Sequence, residues 1–504
     1  MKKHNLMPSL PSPKVTSSRR AVSDSSLKRF DATIILHGRK SPAELKLKAA
    51  KALGVVATRS DKVALVTIGV PDAPASTLVA CQLNRNASAF EIDEQCRKAC
   101  AAARASGGTK IAVVIDDDSL ADAPGTTRSI VYALTVGDFA MPTFAKPARK
   151  QDPLTITVFE PRKTSVTTTL ATARGNCLAR WLTALPPNLL DAAGYREVAE
   201  KLSKKHGWQY RFISASTLKR RGAGAFTAVA QGNEHNDAGI VHIKYRAKSG
   251  GKRRKTIALV GKGIIFDTGG TNLKPFDGML NMHIDMGGSA VAIGSLLSLS
   301  EQAVNFDIDV WLAITENRTG PEAYKSQDVV TALNGKTIQT IHTDAEGRMV
   351  LADTLTLASR EKPDCMLDFA TLTGACVNAV TPRYSGVFTN RASLHPLLKR
   401  HGVASGERVW PFPIGGEFKA LLDSETADIK QCAPGGGGDH ILAATFLNEF
   451  VVRSVPWVHI DLSACEHKGG LGAIPTEITG FGVRYTVELL NEHLTTLTTA
   501  KAGS

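Results

Sequence analysis

Thr256-Ile257-Ala258-Leu259-Val260 runs directly into Gly261-Lys262-Gly263-Ile264-Ile265-Phe266-Asp267-Thr268-Gly269-Gly270, and Lys274 and Asp285-Met286-Gly287-Gly288 follow. The first five residues form an apolar run of the kind that makes a central strand buried on both faces. The glycine-rich stretch after it reads as a loop at the carboxyl end of that strand, where layered α/β proteins place their sites. Small residues around Lys262, Asp267 and Asp285 let side chains converge closely. The glycines could also mark plain turns, and Asp285 could cap the helix expected from Gly288.

Further apolar runs of the same type are Phe306–Ile314, Cys365–Phe369 and Trp457–Leu462. Helix patterns lie between them at Gly288–Ser300, Met349–Ala358 and His440–Val452, which predicts a mixed sheet covered by helices. Upstream, Ala32–Leu36, Val63–Ile68, Ile111–Ile115 and Leu154–Phe159 alternate with helix-like Ala43–Leu53 and Phe90–Arg104. The helical pattern of Leu170–Leu185 breaks at Pro186-Pro187. The expected organisation is α/β with two domains, residues 29–165 and 166–504, each a mixed β-sheet flanked by helices. Residues 1–28, rich in Ser, Pro and basic side chains, are expected to be a disordered basic tail, with an organellar transit peptide as the alternative.

The chain has 504 residues, 43% of them hydrophobic, enough for more than one packed core. Charges interrupt every long apolar stretch, so no membrane anchor is expected. The eight cysteines show no disulfide or thiolate-zinc spacing, which favours a reducing, cytoplasmic setting. Cys96 and Cys100 share a helix face and read as ordinary thiols before a metal pair. The formal charge is +14, concentrated in residues 1–30, Lys219-Arg220-Arg221 and the run Lys248 to Lys255. Solvated basic loops account for it, and nucleic acid is the secondary partner reading. Phosphate cradling fails, because Gly261-Lys262-Gly263 lacks the upstream glycine and the following Ser or Thr of a P-loop.

A second segment, Ile341-His342-Thr343-Asp344-Ala345-Glu346-Gly347-Arg348-Met349, follows the strand-like Thr337–Ile341 and precedes a helix. Asp344 and Glu346 are expected in the connecting loop, pointing into one cavity. Asp267, Asp285, Asp344 and Glu346 cannot be gathered in a dry site without strong repulsion unless cations neutralise them. Such an oxygen-rich set suits zinc, manganese, magnesium or cobalt.

Val260–Gly288 and Thr343-Asp344-Ala345-Glu346-Gly347-Arg348 closely resemble the two signature regions of the cytosolic, two-metal leucine aminopeptidases. The resemblance extends through Leu367–Gly374, residues 435–447 and Asp461, while residues 31–165 match only in general pattern. It implies an N-terminal α/β domain, a C-terminal catalytic domain and a homohexamer acting on peptide substrates. It implies that Lys262, Asp267, Asp285 and Glu346 hold one metal and that Asp267, Asp344 and Glu346 hold a second. Read without the resemblance, Lys262 is a salt-bridge partner of the acids. The implied chemistry is hydrolysis of N-terminal residues by a hydroxide bridging two metals. Lys274 would stabilise the oxyanion, and Arg348 would hold a bicarbonate acting as general base.

Met282, Thr371, Leu372 and Gly374 match the pocket-lining positions that the resemblance implies. The sequence departs from the family pattern at His342, where the family usually has Asn, and at Ser463 and Glu466, where small or apolar residues are usual. The rival readings are an aminopeptidase fold with an added DNA-binding role and a non-catalytic hexameric structural homologue.

Overall fold

The computed structural model describes residues 6–20, 22–39, 65–70, 73–145, 152–248, 254–435 and 437–501. The helix expected at Ala43–Leu53 and most of the basic run Lys248 to Lys255 lie outside these residues.

Among the described residues the chain forms two large mixed sheets in sequence order, and a small third one. The N-terminal sheet has six strands, in the order Lys14–Ser18, Thr155–Phe159, Lys110–Ile115, Ala32–His37, Ala73–Gln82, Leu65–Val70. All neighbours in it are parallel except the last pair. Helices Ala89–Arg104 and Ala123–Gly137 accompany it. Cys96 and Cys100 are buried in its core with Cys81.

The expected tail is corrected here. Lys14–Ser18 pairs in parallel with Thr155–Phe159 as an edge strand. Ahead of it, Leu6, Met7 and Leu10 pack against the core, and the Trp181 indole donates to the Leu6 carbonyl at 2.8 Å. An edge strand needs only one buried face, so a short polar segment with a single Val15 suffices, and that pattern resembles a tail.

The C-terminal sheet has eight strands. Their order is Val409–Pro411, Ser385–Thr389, Trp457–Asp461, Cys365–Ala370, Thr256–Asp267, Asp307–Asn317, Gly239–Tyr245 and Gln209–Ser214. The four apolar runs of the sequence are its centre. Side chains alternate between faces at a period of two. Ile257, Leu259, Ile308 and Val310 join one core with helices Thr167–Ala184, Gly287–Glu301 and Val483–Thr499. Ala258, Val260, Trp311 and Ala313 join the other with Glu346–Arg360 and Asp439–Asn448. Among the described residues one segment, Phe276–Glu301, is apolar enough to cross a bilayer, and 89% of its apolar window lies inside the fold.

Two local expectations change. The central strand continues to Asp267, so Lys262 projects from the strand itself and not from a loop. Glu346 opens the helix Glu346–Arg360, so only Asp344 remains in the preceding connection. Thr337–Gln339 belongs to a separate three-stranded sheet with Val329–Thr331 and Ile429–Lys430.

Candidate metal centre

Strand Thr256–Asp267 delivers Lys262 from its body and Asp267 from its carboxyl end. A turn then brings Lys274 back over Asp267. Gly269 makes that turn at φ +86°, where an added Cβ would meet the Asn272 carbonyl at 2.5 Å. The short 3-10 helix Met282–Met286 supplies Asp285, and the helix start supplies Glu346 and Arg348. Gly347 is required by contact, since a Cβ there would lie 2.7 Å from the Lys262 ammonium.

The Lys262 ammonium is 2.9 Å from Asp285 and 2.9 Å from Glu346, and it donates to the Thr371 carbonyl at 2.9 Å. Lys274 lies 2.9 Å from Asp267 and 2.5 Å from Asp344. Asp267, Asp344 and Glu346 each offer an oxygen, and these atoms lie within 4.8 Å of one another. Thr371 donates to Asp285 at 2.7 Å.

Lys262, Asp267, Asp285 and Glu346 are all buried. Burial is the main cause that holds the carboxyls of Asp285, Asp344 and Glu346 well above the ordinary range, and neighbouring acids add to it against the pull of the lysines. Burial opposes the charge on Lys262 and Lys274, but the carboxylates around them outweigh it and hold both ammonium groups protonated well beyond the usual range. Four carboxylates face two lysines, so the cluster carries an excess of negative charge that favours further cations. The donor set therefore fits divalent metal: hard oxygens with one amine, in a buried, rigid cradle.

Arg348 is buried. It donates to Asp439 at 2.6 Å and to the Gln431 carbonyl at 3.1 Å, while its Nε has no hydrogen-bond partner. Arg348 thus forms an ion pair with Asp439, which is not one of the metal-site acids.

A cavity of about 670 Å³ brings Lys262, Asp267, Lys274, Asp285, Asp344, Glu346 and Arg348 together with Met282, His342, Thr371, Leu372, Gly374, Ser463 and Glu466. His342 is exposed at its mouth, and its Nδ1 accepts from the Asp344 amide at 3.3 Å. Glu466 accepts from the Asn281 side chain at 3.3 Å, and burial raises its carboxyl above the usual range.

Sequence reasoning missed the residues that support this shell. Asn317, at the end of strand Asp307–Asn317, donates to Asp267 at 2.8 Å, to the Thr343 carbonyl at 3.0 Å and to Glu346 at 3.4 Å. Tyr324 donates to the Thr343 carbonyl at 2.7 Å. Gln431 accepts from the amides of Ile341 and His342 and donates to the Ala345 carbonyl. The one available signal was Asn317, a polar residue closing an apolar strand.

The chain's similarity to known proteins agrees with this geometry. Residues 177–487 match the cytosol aminopeptidase family, catalytic domain. A probable cytosol aminopeptidase of Parasynechococcus marenigrum (strain WH8102) is 40% identical over 317 residues, 62% of this chain and 64% of that protein. The chain thus spans just under two thirds of the length of that curated relative. Among solved structures, a mutant of the tomato leucine aminopeptidase superposes with a TM-score of 0.83 at 26% identity, covering 95% of this chain and 96% of the other. The bottromycin maturation enzyme BotP in complex with Mn superposes with a TM-score of 0.80 at 28% identity, covering 91% and 98%.

Proposed function

The chain belongs to the cytosol aminopeptidase family, and from that premise we propose that it is a metal-dependent aminopeptidase that hydrolyses N-terminal residues from peptides. The observation that carries this reading is the convergence of Asp267, Asp344 and Glu346 within 4.8 Å, flanked by Asp285 and Lys262.

Lys262, Asp267, Asp285 and Glu346 would hold one divalent ion, and Asp267, Asp344 and Glu346 a second, with Asp267 and Glu346 shared. Zinc or manganese suits the set best, then magnesium or cobalt, and the Mn complex of the bottromycin enzyme supports manganese. When bound, two such ions acidify a water so that it serves as the nucleophile near neutral pH.

The remaining work falls to the chain's own side chains. Lys262 would serve as an amine ligand, and a bound dication would favour its neutral form over the ammonium that the acids otherwise hold. Lys274 provides a fixed positive charge where the scissile carbonyl oxygen becomes negative. Arg348, through its unpartnered Nε, is the residue that would hold bicarbonate as general base. Met282, Thr371, Leu372, Gly374 and Ser463 would line the pocket for the first side chain of the substrate, with His342 at its mouth and Glu466 selecting its charge. The assembly proposed is a homohexamer in the cytoplasm.

The test is hydrolysis of a panel of aminoacyl amides with and without added manganese. Release of the N-terminal residue that depends on the metal supports the reading. Absence of turnover with every metal in the set refutes it.

A further inference from the structure

We propose that His401, Glu492 and His493 form a second metal site, for a transition-metal dication of the zinc class, outside the peptidase centre. His401 lies on helix His395–Ser405, and the other two lie on the C-terminal helix Val483–Thr499. Glu492 Oε2 is 3.8 Å from His401 Nδ1 and 3.7 Å from His493 Nε2. All three donor atoms lie within 4.8 Å of one another. None of the three residues lines the peptidase cavity.

The tautomer of His401 is the telling feature. Its side chain is 1% exposed, and its Nε2 lies 3.1 Å from the Tyr485 carbonyl. A carbonyl only accepts, so Nε2 carries the proton and Nδ1 presents a lone pair. Among the described residues that Nδ1 has no hydrogen-bond donor, and it faces the Glu492 carboxylate, which is also an acceptor. The His401 nitrogen is buried and the Glu492 carboxylate opposite it is exposed, and because both are acceptors neither satisfies the other, whereas a positive group between them satisfies both. A metal ion satisfies the geometry, and the Tyr485 carbonyl then plays the usual orienting role for a metal-bound imidazole.

The backbone is arranged to match. Successive residues on a regular helix point about 100° apart, so neighbours do not ordinarily share a ligand position. At His493 the helix departs from regular geometry, with φ −127° and ψ 15°, and this kink lets adjacent Glu492 and His493 converge. Donor atoms around a tetrahedral zinc ion with bonds of about 2.0–2.1 Å stand roughly 3.4 Å apart, so the two histidine–carboxylate separations of 3.8 and 3.7 Å close by a few tenths of an ångström on binding, and the two imidazole nitrogens, within 4.8 Å of each other, close to the same spacing. Two imidazoles and one carboxylate select zinc, copper or nickel over magnesium and calcium. The exposed Glu492 side leaves the remaining position to water. Such an ion would clip the C-terminal helix to helix His395–Ser405.

The test uses the full chain with its peptidase centre saturated by manganese, dialysed against zinc, with total metal counted per chain. His493→Ala removes a partly exposed ligand without opening the core, and Glu492→Ala removes the exposed one. Each is expected to bind one dication fewer than the parent and to lose the zinc-induced rise in unfolding temperature, with aminoacyl amide turnover unchanged. Equal metal content in the parent and in either variant overturns the proposal.

Discussion

Asn317 and Asp267 are register partners on adjacent parallel strands, and the Asn317 amide donates to the Asp267 carboxylate at 2.8 Å. The same amide reaches the Thr343 carbonyl and Glu346, so one side chain ties both halves of the metal cradle together. Partners of this kind set the orientation of metal ligands, and their loss weakens binding by about 10- to 100-fold. Asn317→Ala is expected to lower metal affinity by that factor while the protein stays folded. Metal competition with a chelator of known affinity checks it, and parent-like affinity would remove Asn317 from the account.

Glu466 lines the cavity beside Met282 and Thr371, and its carboxylate accepts from the Asn281 side chain. A charge-assisted contact contributes about 1.5–3 kcal/mol, which corresponds to roughly a 10- to 100-fold preference for a Lys or Arg first residue over an uncharged one of similar size. Comparing arginyl with leucyl amides for the parent and Glu466→Met decides it. A leucyl preference that the substitution does not change means that Glu466 does not read the substrate.

The N-terminal segment is expected to be structural. Leu6, Met7 and Leu10 pack on the core, and Lys14–Ser18 completes the sheet edge. Stripping them exposes apolar surface worth about 1 kcal/mol or more per side chain. Deleting residues 1–20 should therefore lower the urea midpoint measurably, and an unchanged midpoint would contradict the edge-strand role.

Asp353 is fully buried and accepts from the amides of Phe226 and Leu333 at 2.8 and 2.7 Å. Burial raises its carboxyl to about 6 against those hydrogen bonds. The folded chain therefore binds a proton more tightly than the unfolded one, and from about pH 4 to about pH 6 this group makes stability fall as pH rises. The full effect is at most about 3 kcal/mol. Urea unfolding across that window should give a shallower pH dependence for Asp353→Asn than for the parent, whatever the offset between them. Identical slopes would show that the Asp353 carboxyl has the same pKa folded and unfolded, contradicting the shift.

Much of this was legible in the sequence because the deciding signals were local. Four apolar runs announced the centre of the large sheet, and Thr343–Arg348 with Val260–Gly288 carried the chemistry. The Asn317 contact was not legible, because it depends on the register of two strands distant in sequence. Glu346 was expected in a loop because Ala345 offers no side-chain cap to announce the helix start. The edge strand at Lys14–Ser18 went unseen because a strand buried on one face needs few apolar residues. His401, Glu492 and His493 converge only through packing of two helices and a kink, which no spacing rule encodes.

If the carboxylate cluster holds metal needed for peptide hydrolysis, metal content and turnover fall together when a ligand is removed. Metal content and leucyl amide turnover, measured on the same samples of the parent, Glu346→Ala and Lys274→Ala, test it most directly. Glu346→Ala should lose metal together with about 10³-fold or more of the rate, while Lys274→Ala should keep its metal and lose turnover. Near-normal turnover by Glu346→Ala, or by metal-free parent, would contradict the account.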